Sequence, residues 1–214
     1  MSENSYTNFN FKVIKMTRKC IYQVLLTFFL IGFQGISFAS SNIFELNATN
    51  IDGDEISLKQ FKGKVLLVVN TASRCGFTPQ YKSLEQVFNK YREHGFVVLA
   101  FPSNDFRQEL SSNEEIKDFC EGYQISFPIF AEGTVKGFGK QDVFKYLTED
   151  SNGRSKGEIR WNFEKFLVNR DGKLFKRFRS SLDPNQKQSP LERNHFLLNS
   201  SRYESLGHYT AQGR

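Results

Sequence analysis

Three cysteines, at positions 20, 75 and 120, are the residues of this sequence best suited to chemistry. Cys75 stands in Asn70-Thr71-Ala72-Ser73-Arg74-Cys75-Gly76-Phe77-Thr78-Pro79, between an apolar run and a helix start. A thiol near a helix N-terminus meets the positive end of the helix dipole, which favours the nucleophilic thiolate. Arg74 adds a cation beside it, and Cys-Gly-Phe-Thr echoes a thioredoxin-like C-x-x-C with Thr in the second place. Position alone leaves a buried structural thiol equally open. The only Trp, Trp161, is followed by Asn162. Each carries an N–H donor, and donors aimed at a thiolate stabilise it and the charge developing on it. By itself this pair also fits a packed aromatic beside a turn. His94, His195 and His208 have no metal-site spacing and are read as surface or capping residues, so no metal and no cofactor is expected.

These residues need elements to hold them. Val65 to Val69 is a continuous apolar, β-branched run, the mark of a strand buried on both faces. Thr78 as cap and Pro79 in the first turn predict a helix in which Tyr81, Leu84, Val87, Phe88 and Tyr91 share a face, ended by Gly95. Phe96 to Phe101 is a second buried strand, so the unit implies a right-handed parallel crossover. Ahead of it, Ile43–Ala48 and Glu55–Leu58 around Asp52-Gly53-Asp54 read as a β-hairpin. Further helices are expected over 113–122 and near 142–148, and a late hairpin from Phe166 to Phe175 turning at Asp171-Gly172. Together these give an α/β fold: a mixed central sheet flanked by helices, with an N-terminal β-hairpin.

Three motifs in this order resemble the glutathione peroxidase family: N-x-A-S-x-C-G-x-T from Asn70 to Thr78, Phe101-Pro102-Ser103-Asn104-Asp105-Phe106, and Trp161-Asn162-Phe163-Glu164-Lys165-Phe166-Leu167-Val168. The resemblance spans roughly residues 42–184. It implies a thioredoxin-like fold and the reduction of hydrogen peroxide and organic hydroperoxides. The family's site joins a cysteine or selenocysteine, a Gln, a Trp and an Asn, and carries over to Cys75, Trp161 and Asn162. Where the family has its Gln, this chain has Asp105, which accepts but when ionised cannot donate; a carboxylate turned toward the thiolate would disfavour it. The loop is one residue shorter before Gln108-Glu109, which offers Gln108 as a substitute donor. Cys120 lies eight residues before Pro128, the place of a resolving cysteine in cysteine-type members. That implies a sulfenic acid at Cys75 condensing with Cys120 to a disulfide.

The 214 residues include 39% hydrophobic and 24% charged residues, ordinary for a globular chain, and the length accommodates one domain with extensions. The net charge of +6 collects at the ends, with Lys12, Lys15, Arg18 and Lys19 near the start and Lys187, Arg193, Arg202 and Arg214 near the end, so it does not mark a nucleic-acid face. Basic residues, then the apolar run Ile21–Phe33, then Ser37-Phe38-Ala39 predict a signal peptide over 1–39, with Met16 as an alternative start. Export to a periplasm or outside the cell follows, with a membrane anchor as the alternative. Cleavage would remove Cys20 and leave two cysteines. Residues 40–185 form the predicted peroxidase domain; 186–214 read as a polar, unstructured tail dispensable for chemistry.

The sequence therefore predicts a thiol peroxidase: Cys75 attacks the peroxide, Trp161 and Asn162 activate it, Asp105 holds the family's third polar position, and Cys120 resolves. The expected partners are hydroperoxides and a thioredoxin-like reductant or glutathione, and the chain is expected to be a monomer or dimer. The rival reading uses the same residues: a peroxide sensor or disulfide relay passing oxidation to a partner protein.

Overall fold

A computed structural model describes residues 42–150 and 156–186. The segment expected to be a signal peptide, with Met16 and Cys20, and the tail beyond Gln186, with His195 and His208, lie outside the described residues. The seven residues of strand β3 (Val65–Thr71) and the seven of β4 (Phe96–Pro102) are all buried. They pair in parallel, Val65 opposite Phe96 through Thr71 opposite Pro102. Helix α1 (Gln80–Tyr91) crosses between them, and Gly95 closes it in the left-handed conformation (φ 74°) that glycine tolerates best. On the other side of β3 lies β5 (Lys165–Val168), antiparallel to it, and then β6 (Leu174–Phe178), antiparallel to β5, giving a mixed sheet of order β4-β3-β5-β6.

Side chains alternate along β3, so one strand supplies two cores. Val65, Leu67 and Val69 pack with α1 and with α2 (Asn113–Gly122). Leu66 and Val68 pack on the opposite face with Val143, Phe144 and Leu147, from α3 (Asp142–Lys145) and the π-helical turn Tyr146–Asp150 that continues it. The result is a sheet between two layers of helices, the thioredoxin-like arrangement expected.

The N-terminal hairpin is shorter than the sequence predicts. β1 (Asn47–Thr49) pairs antiparallel with β2 (Glu55–Ser57). Ile43–Glu45 is instead a 3₁₀ turn: the Asn42 side chain caps it, accepting from the Phe44 amide at 2.9 Å, which drives Ile43 and Phe44 into the core. The predicted start of α1 also shifts. Thr78 does not cap the helix, which begins at Gln80; its hydroxyl donates to the Ala72 carbonyl (2.8 Å) and accepts from the Cys75 amide (2.9 Å). Among the described residues no helix is long and apolar enough to cross a membrane.

Candidate active site

Three segments meet at one end of the sheet: the loop after β3 carrying Cys75, the loop after β4 carrying Asp105 to Leu110, and the entry to β5 carrying Trp161 and Asn162. Polar and irregular backbone gathers here because strands that end together leave a crevice between their connections. Asn70, at the end of β3, fixes two of the segments. Its Nδ2 donates to the Trp161 carbonyl (3.1 Å), its Oδ1 accepts from the Glu164 amide (3.0 Å), and its backbone carbonyl accepts from the Phe163 amide (2.6 Å). One fully buried amide thus sets where Trp161 and Asn162 stand relative to the Cys75 strand. Sequence reasoning assigned Asn70 no role of its own, although it opens the Cys75 motif.

Cys75 is 7% exposed and reduced. The turn that Thr78 ties shut aims the Phe77 amide at its sulfur, N to Sγ 3.4 Å. The donor is therefore a turn amide ahead of α1 rather than the helix's own first turn. It serves the same end, placing a backbone dipole on the sulfur. Arg74 is exposed beside it, and its amide donates to the Gln108 carbonyl (2.8 Å).

Asn162 is fully buried and its Nδ2 donates to Gln108 Oε1 at 2.9 Å. Trp161 is 41% exposed, with its ring 5.2 Å from that of Phe106. Asp105 does not join this group. Its Oδ2 accepts from the amides of Val135 (2.7 Å) and Lys136 (3.0 Å), which turns the carboxylate toward a neighbouring loop and satisfies it there. Gln108, not Asp105, is the side chain the β4 loop brings to Asn162. Arg107 makes this possible by adopting φ 58°, and Phe163 adopts φ 62° on the other side of Asn162. Non-glycine residues held in this region are strained, and the two flank the pair they position.

The same β4 loop is pinned to the Cys75 loop by Glu109. Its Oε1 accepts from the amides of Ser73 (3.0 Å) and Leu110 (2.9 Å), and burial raises the carboxyl above the ordinary range. Cys120 is 1% exposed in α2, within the same core cluster as Cys75. Burial pushes its thiol up to about 11. The entry strand itself is anchored by two buried charges. Lys165 Nζ donates to Gln80 Oε1 and to the carbonyls of Ser180 (3.2 Å) and Leu182 (2.7 Å), and burial pulls this ammonium down to about 7. Glu164 accepts from Arg177 Nε (2.7 Å) and Arg179 (3.0 Å). His94 sits at the end of the 3₁₀ turn after α1, where its carbonyl accepts from Arg170. Among the described residues no cluster could hold a metal ion.

A family model described as glutathione peroxidase matches residues 43–148. The hydroperoxy fatty acid reductase gpx1 of Synechocystis sp. is 43% identical over 163 residues, covering 72% of this chain and 96% of that protein. The glutathione peroxidase-like peroxiredoxin gpx1 of Schizosaccharomyces pombe is 43% identical over 154 residues, covering 71% and 98%. A thioredoxin-family thiol:disulfide interchange protein from Chlorobium tepidum superposes with TM-score 0.51 at 17% identity, over 68% of this chain and 91% of that one, a likeness of fold alone.

Proposed function

The chain belongs to the glutathione peroxidase family, whose members are peroxidases, and from that membership we propose that Cys75 is the thiol that reduces the peroxide. The observation that carries this is the turn amide of Phe77 aimed at Cys75 Sγ, at the sheet end where Asn162, Gln108 and Trp161 also gather. The thiolate attacks the terminal oxygen of ROOH. The S–O bond forms as the O–O bond breaks, and the departing alkoxide takes a proton to leave as ROH. Sulfur is oxidised to the sulfenic acid and the peroxide is reduced. Asn162 and Trp161 orient and stabilise the developing charge, and Gln108 holds the Asn162 amide in place.

Cys120 is the thiol that closes the cycle in this reading: it displaces hydroxide from the Cys75 sulfenic acid and forms a disulfide. Its support is a free thiol in the same buried cluster. A disulfide of this kind is reopened by thiol exchange, which suits a thioredoxin-like dithiol. One experiment tests both parts: peroxide consumption by the protein with glutathione and with a thioredoxin in parallel, and mass spectrometry of unreduced peptides after peroxide treatment. A Cys75–Cys120 disulfide and faster turnover with the dithiol are expected. A stable sulfinic acid at Cys75 with Cys120 free would remove Cys120 from the cycle. A lasting mixed disulfide with one partner and slow turnover would favour the relay. Export rests on the order of basic, apolar and small residues over 12–39 and is tested by N-terminal sequencing of the protein from its native host.

A further inference from the structure

Lys165 has no exposed surface and stands three residues past Asn162, yet the chemistry proposed for Cys75 does not use it. Lysines are almost never fully buried unless they are paired. It lies opposite Val69 of β3 and in step with Leu167, both of which pack on the α1 side of the sheet. An ammonium carries three N–H donors and no acceptor. Three oxygens meet them: Gln80 Oε1, the Ser180 carbonyl (3.2 Å) and the Leu182 carbonyl (2.7 Å). Gln80 Nε2 also donates to the Ser180 carbonyl (2.8 Å), which closes the group. Among the described residues no donor points at Nζ, so the arrangement fits the ammonium and would leave an acceptor unmatched beside a neutral amine. Burial works against this charge, while the carboxylates of Asp183 and Glu164 favour it. A methionine would fill the same space without that cost, so what the charge adds is direction.

Gln80 is the first residue of α1, and the turn ahead of it is the one that carries Cys75. The Gln80 amide donates to the Phe77 carbonyl (2.9 Å), and the Phe77 amide is the donor aimed at Cys75 Sγ (3.4 Å). A run of contacts therefore leads from Lys165 Nζ through Gln80 and Phe77 to the sulfur. Through its own backbone, Lys165 continues the segment that carries Trp161 and Asn162. Asn70 ties that segment to β3. On the α1 side the junction is held by the Lys165 group and by the Tyr81 ring, edge-on to Phe163 at 5.6 Å, a contact less directional than a charge-assisted hydrogen bond. We propose that Lys165 is a positioning residue of the peroxidase site: by gripping Gln80, its ammonium sets how far the Cys75 turn stands from Trp161 and Asn162. The peroxide must meet the sulfur and the N–H donors together. An error in this spacing therefore acts on the rate, although Lys165 is placed to touch neither the peroxide nor the sulfur.

This inference rests on the reading of Cys75 as the peroxide-reducing thiol, and the test separates the two. Two rate constants are measured on the full chain at neutral pH: oxidation of Cys75 by hydrogen peroxide and its alkylation by iodoacetamide, each assigned to Cys75 by peptide mass. Alkylation needs the thiolate alone, while oxidation also needs the donors of Trp161 and Asn162 in register. Lys165→Met keeps the length of the side chain and loses all three donors. Gln80→Met leaves Lys165 its two carbonyl partners and cuts the link to α1. In both, the ratio of oxidation to alkylation is expected to fall at least about tenfold, since a misplacement of about 1 Å can cost roughly 10²-fold. Gln80→Glu keeps an acceptor for the ammonium and should recover most of the ratio. A merely structural role would lower the melting temperature of these variants and leave the ratio at its wild-type value. Gln80→Met reports even if Lys165→Met does not fold. A wild-type ratio in Gln80→Met, or a lowered ratio that Gln80→Glu does not recover, would overturn the positioning role and leave the reading of Cys75 standing. No oxidation of Cys75 in the wild-type protein would overturn that reading and this inference with it.

Discussion

Cys75 and Cys120 belong to the same core cluster and are almost equally hidden, at 7% and 1% exposure, yet their surroundings are opposite. Cys75 sits in an irregular turn with a backbone N–H aimed at its sulfur, at the sheet end where the buried Asn162 amide donates to Gln108. Cys120 sits within a regular helix, where backbone N–H groups are spent on i−4 carbonyls, and burial pushes its thiol up. Burial by itself only disfavours charge. In the proposed reading, what suits Cys75 rather than Cys120 to attack is the direction of nearby dipoles, which a turn can aim and a helix interior cannot.

The comparison is broken most severely by removing one sulfur at a time. Cys75→Ser should abolish peroxide turnover with any donor, measured by peroxide consumption. Cys120→Ser should keep the first oxidation of Cys75 and lose sustained turnover with a dithiol. Activity near wild type in Cys75→Ser would refute the assignment of Cys75. Next in size, Asn162→Ala should lower kcat/KM by about 10²–10³-fold, the effect of deleting one donor to developing charge. A loss under about threefold would mean that Asn162 serves packing rather than the thiolate.

Alkylation sharpens the contrast from the Cys120 side. The Cys120 thiol, raised by burial from 9.0 to about 11, has about 100-fold less thiolate at neutral pH than an ordinary thiol. Its modification by iodoacetamide, followed by peptide mass, should climb with pH up to about 11 in the folded protein. The sign for stability follows. Because the folded value lies above the unfolded one, the contribution of the neutral thiol is complete below pH 9 and is lost as the pH rises through about 11. Rapid alkylation at pH 8 would show that α2 opens readily and that the buried state does not govern this thiol.

The sheet and its helices were legible in the sequence because β3, β4, α1 and α2 each carry a pattern long enough to set a period. The residues of the three motifs were legible as well. The roles within the Cys75 turn were less so. Thr78-Pro79 reads as a helix cap by local rules, but the Thr78 hydroxyl is captured by Ala72 and Cys75, a contact created only when the turn closes. Ile43–Glu45 reads as strand by composition, and the Asn42 side chain diverts it into a 3₁₀ turn. The unpartnered buried oxygens of Thr71, Ser73, Tyr81 and Glu109 could not be foreseen, since they come from three separate segments.

The smallest effects are expected where the chain departs from its family's pattern, at Asp105 and Gln108. A sequence match by position puts Asp105 at the thiol, while the geometry puts Gln108 against Asn162 and ties Asp105 to the Val135 and Lys136 amides. Gln108→Ala removes one acceptor from a buried amide, a loss of roughly 1 kcal/mol, and should reduce kcat/KM about five- to tenfold. Asp105→Asn should change it by less than about twofold. Only Oδ2 of Asp105 accepts these two amides, and an Asn carbonyl oxygen can occupy the same place. If the carboxylate instead stood beside the Cys75 sulfur, neutralising it would favour the thiolate, and Asp105→Asn would raise the rate of the first oxidation. The pre-steady-state rate of peroxide reaction in the two variants decides between these placements. A drop for Gln108→Ala with no change for Asp105→Asn keeps Gln108 in the site. An increase for Asp105→Asn with no change for Gln108→Ala would return Asp105 to it.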